Sequence, residues 1–111
     1  MQQAGGLLAL TVVAARLTRD TDTFGKMDPY VVIEYRGTKY KTRTHQSGGK
    51  NPFWNQEFQL SVGAIGDDLT IKVMDEDVSS DDFIGMTIMK VSSLVINNGV
   101  NEWFNITYKE K

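Results

Sequence analysis

Residues 69–85 read Leu69-Thr70-Ile71-Lys72-Val73-Met74-Asp75-Glu76-Asp77-Val78-Ser79-Ser80-Asp81-Asp82-Phe83-Ile84-Gly85. A run rich in β-branched residues breaks into a compact acidic loop, and a second extended run, Phe83 to Val91, follows it. Runs of this kind bounded by turn residues read as strands. Asp75 and Asp77 fit the first positions of a helix-loop-helix calcium loop, but Ser80 stands where that loop needs Gly and Met86 where it needs its closing Glu. No pair of helices flanks the segment. The acidic loop therefore joins two strands.

The rest of the chain repeats that grammar. Leu8, Leu10, Val12 and Ala14 alternate along the first run, and Tyr30 to Tyr35 is a second. Arg36-Gly37-Thr38 connects it tightly to a third run, Lys39 to Thr44. Asn51-Pro52 marks a turn before Phe53 to Val62, and Gly66-Asp67-Asp68 precedes Leu69 to Met74. Asn97-Asn98-Gly99 precedes a last run, Trp103 to Tyr108, and Ser92 to Ile96 has room for one helical turn. Seven short strands at regular spacing predict an all-β antiparallel Greek-key sandwich. With 111 residues, one domain over 1–111 is expected, its core lying within about 6–108. Trp54, Phe58, Phe83, Trp103 and Tyr30 are the expected core aromatics, and His45 reads as an ordinary loop residue.

The acidic residues are clustered. Asp20, Asp22 and Asp28 lie between the first two strands; Asp75, Glu76, Asp77, Asp81 and Asp82 lie between two later ones. The loops of a sandwich gather at its ends, so both groups can share one tip. Two carboxylates about 4 Å apart repel by roughly 4 kcal/mol at an effective dielectric near 20. A divalent ion relieves that repulsion. Calcium accepts several oxygen ligands in tolerant geometry, whereas magnesium demands a near-ideal octahedron. Zinc prefers Cys and His, and the chain has no Cys and one His. Asp20, Asp67 and Asp68 read instead as solvated turn residues.

These segments resemble the C2 domain, a calcium- and phospholipid-binding β-sandwich. The resemblance rests on Leu10-Thr11-Val12-Val13-Ala14-Ala15-Arg16-Leu17, on Gly25-Lys26-Met27-Asp28-Pro29-Tyr30-Val31, and on Asn51-Pro52-Phe53-Trp54-Asn55-Gln56-Glu57-Phe58. The fourth segment runs from Asp75-Glu76-Asp77 to Asp82-Phe83-Ile84-Gly85. It looks most like small single-domain members such as the elicitor-responsive and phloem proteins. The resemblance implies Asp22, Asp28, Asp75 and Asp77 as calcium ligands, with the carbonyls of Thr21 and Glu76 as further candidates. The stretch from Asp77 to Asp82 is one residue shorter than the family's usual loop, so either Asp81 or Asp82 closes the site. The order of strands resembles the permuted, type II topology of the eight-stranded family. Seven strands are readable before Lys111, which leaves an expected open edge where a dimer or exchanged strand pairs.

The resemblance also implies a membrane function. Phe24 and Val78 occupy loop tips that enter a bilayer in the family; the alternative for Phe24 is to pack under its own loop. Lys39, Lys41 and Arg43 alternate along one strand face, where the family binds anionic headgroups; the alternative is a solvated outer face. The expected function is calcium-dependent binding to an anionic phospholipid surface, with a calcium-independent protein- or phosphoinositide-binding module as the other reading. A protein partner is compatible with either.

Other classes are excluded or disfavoured. Without Cys there is no thiol or disulfide chemistry. A net charge of −2 gives no whole-molecule attraction to polyanions, and the basic strand lacks interleaved stacking aromatics beyond Tyr40, so no nucleic-acid partner is expected. The glycines form no phosphate-binding fingerprint. No Ser/His/Asp constellation or metal-hydrolase spacing points to an enzyme. The apolar run Leu7 to Ala15 is too short to span a bilayer, and no targeting segment is readable. A cytoplasmic protein, peripheral and reversible at membranes, is expected.

Overall fold

The computed structural model describes residues 6–22 and 25–108. Six strands form: β1 (Gly6–Ala14), β2 (Pro29–Tyr35), β3 (Thr38–Lys41), β4 (Phe53–Val62), β5 (Asp68–Asp75) and β6 (Asp82–Lys90). Two antiparallel sheets face each other, one ordered β1-β4 and the other β3-β2-β5-β6. The chain changes sheet between β1 and β2, between β3 and β4, and again between β4 and β5. The antiparallel sandwich expected from the sequence is therefore present. A single 3-10 turn, Val91–Leu94, occupies the place of the expected helical turn, and a shorter one spans Ile96–Asn98.

Alternation builds the core. Leu8 and Leu10 lie opposite Leu60 and Phe58, and from the other sheet Val31, Ile33, Tyr35, Leu69 and Val73 point inward and are buried. Trp54 fills the end of the sandwich that carries the acidic loops, and its indole Nε1 donates to the Pro29 carbonyl at 3.0 Å. The β2–β3 hairpin turns on Arg36 and Gly37, both at positive φ (49° and 81°), the pair of left-handed conformations that a two-residue hairpin of matching twist requires. β3 is shorter than the predicted 39–44 run. Thr42 turns its hydroxyl to accept the Val31 N–H (2.9 Å) and to donate to the Arg43 carbonyl (2.8 Å), which ends the regular pairing.

Trp103, expected in the core, is exposed, and Phe83 is only half-buried; Phe58, also half-buried, packs against the core as expected. The Trp103–Tyr108 run does not form a strand. Among the described residues its backbone pairs with the sheet only at the antiparallel bridge between Thr107 and Met86, whose N–H groups each donate to the other's carbonyl at 2.8 Å, while Ile106 packs against the core. The Trp103 ring finds no place in the core and lies under the Arg16 guanidinium, 4.3 Å from its centroid. Among the described residues β1 and β4 each have one neighbour.

Asp67 is also not a solvated turn residue. Its carboxylate accepts from the Tyr35 hydroxyl (2.5 Å), from Arg36 (2.9 Å) and from the Ala64 N–H (3.2 Å). Asp68 pairs with Lys90 at 2.9 Å on the surface, and Asp20 accepts the Asp22 N–H at 3.0 Å. His45 pins the start of β4, where its Nδ1 accepts the Phe53 N–H at 2.9 Å.

Candidate metal centre

Strand register assembles the acidic cup. At one end of the four-stranded sheet, Pro29 lies opposite Asp75, and Asp75 lies opposite Asp82. Asp28, Asp75 and Asp82 therefore belong to adjacent strand ends. Like charges directly opposite in a sheet are destabilising, so this register costs stability unless something neutralises it. The β1–β2 loop brings in Asp22, and one carboxylate oxygen from each of Asp22, Asp75 and Asp82 lies within 4.8 Å of the other two.

Asp75 is the floor. It is fully buried, and its oxygens accept from the Thr21 hydroxyl (2.6 Å) and the Asp28 N–H (2.8 Å). Asp28 in turn accepts the Ser47 N–H at 2.7 Å. The walls are Thr21, Asp22, Asp28, Gln46, Glu76, Asp77, Val78 and Asp82, around an open volume of about 630 Å³. Gln46 comes from the β3–β4 loop and carries no charge pattern that marks it in the sequence.

The two candidates for the closing position separate. Asp82 joins the cluster. Asp81 turns to the outer side, where one oxygen accepts the Tyr30 hydroxyl and the other accepts the Asp77 N–H at 2.9 Å. Asp77 is exposed, with one oxygen accepting the Val78 N–H at 2.6 Å. The Glu76 carboxylate accepts from the Thr44 hydroxyl at 2.5 Å. Val78 is wholly exposed at the loop tip. Phe24 lies outside the described residues.

The electrostatics match the crowding. The Asp22 carboxyl is pushed up to about 6, first by its hydrogen bond with the Asp75 carboxyl, then by burial and by the charges of Asp75, Asp28 and Asp77. The cluster thus retains a proton well above the usual carboxylate range, as carboxylates do when they share a site without a counter-ion. Asp81 behaves oppositely: the Tyr30 hydroxyl foremost, then the Asp77 N–H, holds it below that range. Burial foremost, then Asp81, pushes the Tyr30 phenol up. The donors that meet in the cup are carboxylate oxygens, a set suited to a hard divalent cation.

The basic residues are less uniform than their spacing implies. Lys39 and Lys41 are exposed and share the outer face, Lys39 near Glu34 (4.0 Å) and Lys41 4.3 Å from the Tyr30 ring centroid. Lys72 lies in the same register and contacts Glu34 at 3.4 Å. Arg43 is past the end of β3, its guanidinium donating to the Gln56 side chain (3.3 Å) and to the Trp54 carbonyl. No helix among the described residues is long and apolar enough to cross a membrane.

Known proteins resemble this chain in sequence and fold. The C2 domain profile matches residues 6–106. The chain is 37% identical over 98 residues to 16 kDa phloem protein 1 of Arabidopsis thaliana, covering 83% of this chain and 63% of that protein. It is also 37% identical over 98 residues to elicitor-responsive protein 1 of Oryza sativa subsp. japonica, covering 81% of this chain and 62% of that one. The chain thus spans less than two thirds of these relatives' length. Among solved structures, the calcium-bound pair of C2 domains from extended synaptotagmin 2 superposes with a TM-score of 0.82 at 26% identity, over 96% of this chain and 42% of that one. With its profile match, its strand order and its cup of aspartates on neighbouring loops, this chain belongs to the C2 domain family.

Proposed function

We propose that the domain binds calcium in the cup formed by Asp22, Asp28, Asp75, Asp77 and Asp82, and thereby attaches reversibly to anionic phospholipid surfaces. The observation that carries this reading is the convergence of one carboxylate oxygen from each of Asp22, Asp75 and Asp82 within 4.8 Å. A cation there neutralises the register of like charges and lends the loop tip a positive charge. Thr21 and Glu76 line the same cup and offer backbone carbonyls as further ligands. Val78 projects from the rim; burying one such apolar side chain gives about 1.5–3 kcal/mol, enough for reversible docking only. Lys39 and Lys41 add about 1 kcal/mol each when close to an anionic surface. This is a binding module rather than an enzyme, peripheral to membranes and cytoplasmic.

The test is calcium titration with and without anionic liposomes, on wild type and on Asp22→Asn with Asp82→Asn. Asp75 is spared because its carboxylate also holds Thr21 and the Asp28 N–H. Wild type is expected to take up calcium more tightly with liposomes present, and the double variant to lose both uptake and calcium-dependent liposome binding. Liposome binding that persists in the variant and ignores chelator supports the other reading, a calcium-independent module working through Lys39, Lys41 and Lys72. Among the described residues β1 and β4 each have one strand neighbour, so their outer edges offer a second copy somewhere to pair; sedimentation across a concentration series reads that out.

A further inference from the structure

Arg19 joins the two acidic loops by a contact that their sequences do not reveal. It lies immediately before Asp20, whose carboxylate takes the Asp22 N–H at 3.0 Å. Its half-buried side chain crosses to β6, where Nη2 donates to the Phe83 carbonyl at 2.7 Å and Nε to the Ile84 carbonyl at 3.4 Å. These are the first two residues after Asp82. The β5–β6 register shifts here: Val73 opposes Gly85 and Met74 opposes Phe83, so Ile84 is the extra residue of a bulge. Bulges interrupt the ladder and re-aim neighbouring side chains. Arg19 supplies donors to the carbonyls at that interruption. Its guanidinium is itself covered by the Tyr108 ring, with 3.7 Å to the centroid, and that ring packs on Phe83 at 5.9 Å.

We propose that Arg19, clamped by Tyr108 against the β6 bulge, is the positioning residue that sets the separation of Asp22 and Asp82 and so the calcium affinity of the cup. This rests on the calcium reading above. A planar fork reaching two carbonyls while stacked on a ring is a geometry that Arg provides and Lys cannot reproduce. The inference also has a sign that a charge effect does not share. Arg19 is a cation beside a cation site, so on charge alone its removal tightens calcium binding. As a positioning residue its removal weakens it.

The experiment is calorimetric titration with calcium alone, on wild type and on Arg19→Ala, Arg19→Lys, Tyr108→Leu and Arg16→Ala, with calcium-free thermal unfolding of each. The expected result is a loss of affinity of about tenfold in Arg19→Ala, the scale on which outer partners of metal ligands act. Arg19→Lys and Tyr108→Leu are expected to show smaller losses in the same direction. Arg16→Ala removes the same charge from the same loop without touching the bulge, and is expected to bind as wild type or slightly tighter. If Arg19→Ala does not fold, Arg19→Lys and Tyr108→Leu decide. Wild-type affinity or tighter binding in the folded Arg19 variants overturns this inference and leaves calcium binding standing. A wild type that takes up no calcium overturns both.

Discussion

Replacing Trp54 by Phe removes one hydrogen bond and part of one ring at the junction between the core and the cup. The side chain is 1% exposed and its Nε1 donates to the Pro29 carbonyl at 3.0 Å. If the indole were that carbonyl's only donor, its loss would leave a buried acceptor bare. It is not: the His45 N–H also donates there, at 2.9 Å. The bond is then worth its net value, about 1 kcal/mol. The lost ring area adds about 1 kcal/mol, for a total of about 2 kcal/mol, or roughly 8 °C in Tm at this chain length. Trp54→Ala, which leaves a cavity, costs about 3–5 kcal/mol. Urea unfolding followed by circular dichroism measures both without relying on indole fluorescence. A Phe variant within about 0.5 kcal/mol of wild type, the range of a neutral surface change, would show that the indole bond does not form. A loss above about 4 kcal/mol would show that His45 does not share the carbonyl, because orphaning a buried acceptor adds about 1–3 kcal/mol.

The acid limb of the stability curve is expected to depend on Asp67. The Tyr35 hydroxyl foremost, working against burial, and then Arg36 and the Ala64 N–H hold its folded-state pKa below the ordinary 3.8. Between those two values the unfolded chain binds more protons than the folded one, so stability rises with pH there, is complete above the unfolded value, and is lost as pH falls through the folded value. Asp67→Asn is therefore expected to be less stable than wild type at neutral pH, with the gap closing in acid; a gap that is constant with pH refutes the ionic role. At the cup, Asp82→Asn is expected to weaken calcium binding at least tenfold, about 1.4 kcal/mol, whereas Asp81→Asn leaves it near wild type. Asp81→Asn is expected instead to bring the Tyr30 phenol's pKa down, read by ultraviolet titration, though not to the ordinary 10.0 because burial is the larger cause.

The strands were legible because their signal is local: alternation, β-branched runs and turn residues all lie within a few positions of one another. The two acidic loops were legible for the same reason. What the sequence concealed depends on distant partners. Asp67 reads as a turn aspartate until Tyr35, 32 positions away, is found to donate to it. Arg43 reads as part of a basic stripe until the hydroxyl of Thr42 ends β3 and the guanidinium meets the Trp54 carbonyl. Trp103 reads as core because it opens a run rich in aromatic and β-branched residues, yet such a residue is buried only where its segment joins a sheet. Gln46 has no pattern at all; it reaches the cup because Ser47 bonds Asp28.

The choice between Asp81 and Asp82 was undecidable from spacing because the loop is short and the two are adjacent. Pairing separates them. Asp82 is the first residue of β6 and lies opposite Asp75, so its side chain faces the cup. Successive residues of an extended chain point to opposite sides, and Asp81 accordingly faces out, toward Tyr30 and Lys41. There it does a different job. By taking the Tyr30 hydroxyl with one oxygen and the Asp77 N–H with the other, it ties the start of the loop to its end and to β2. Lys41, 4.3 Å from the same ring, adds a positive charge that favours the ionised Asp81. On the proposed calcium reading a loop one residue short need not lose a ligand: Asp82 lies with Asp22 and Asp75 in the cup, while Asp81 shapes the loop that carries Asp77 and Val78.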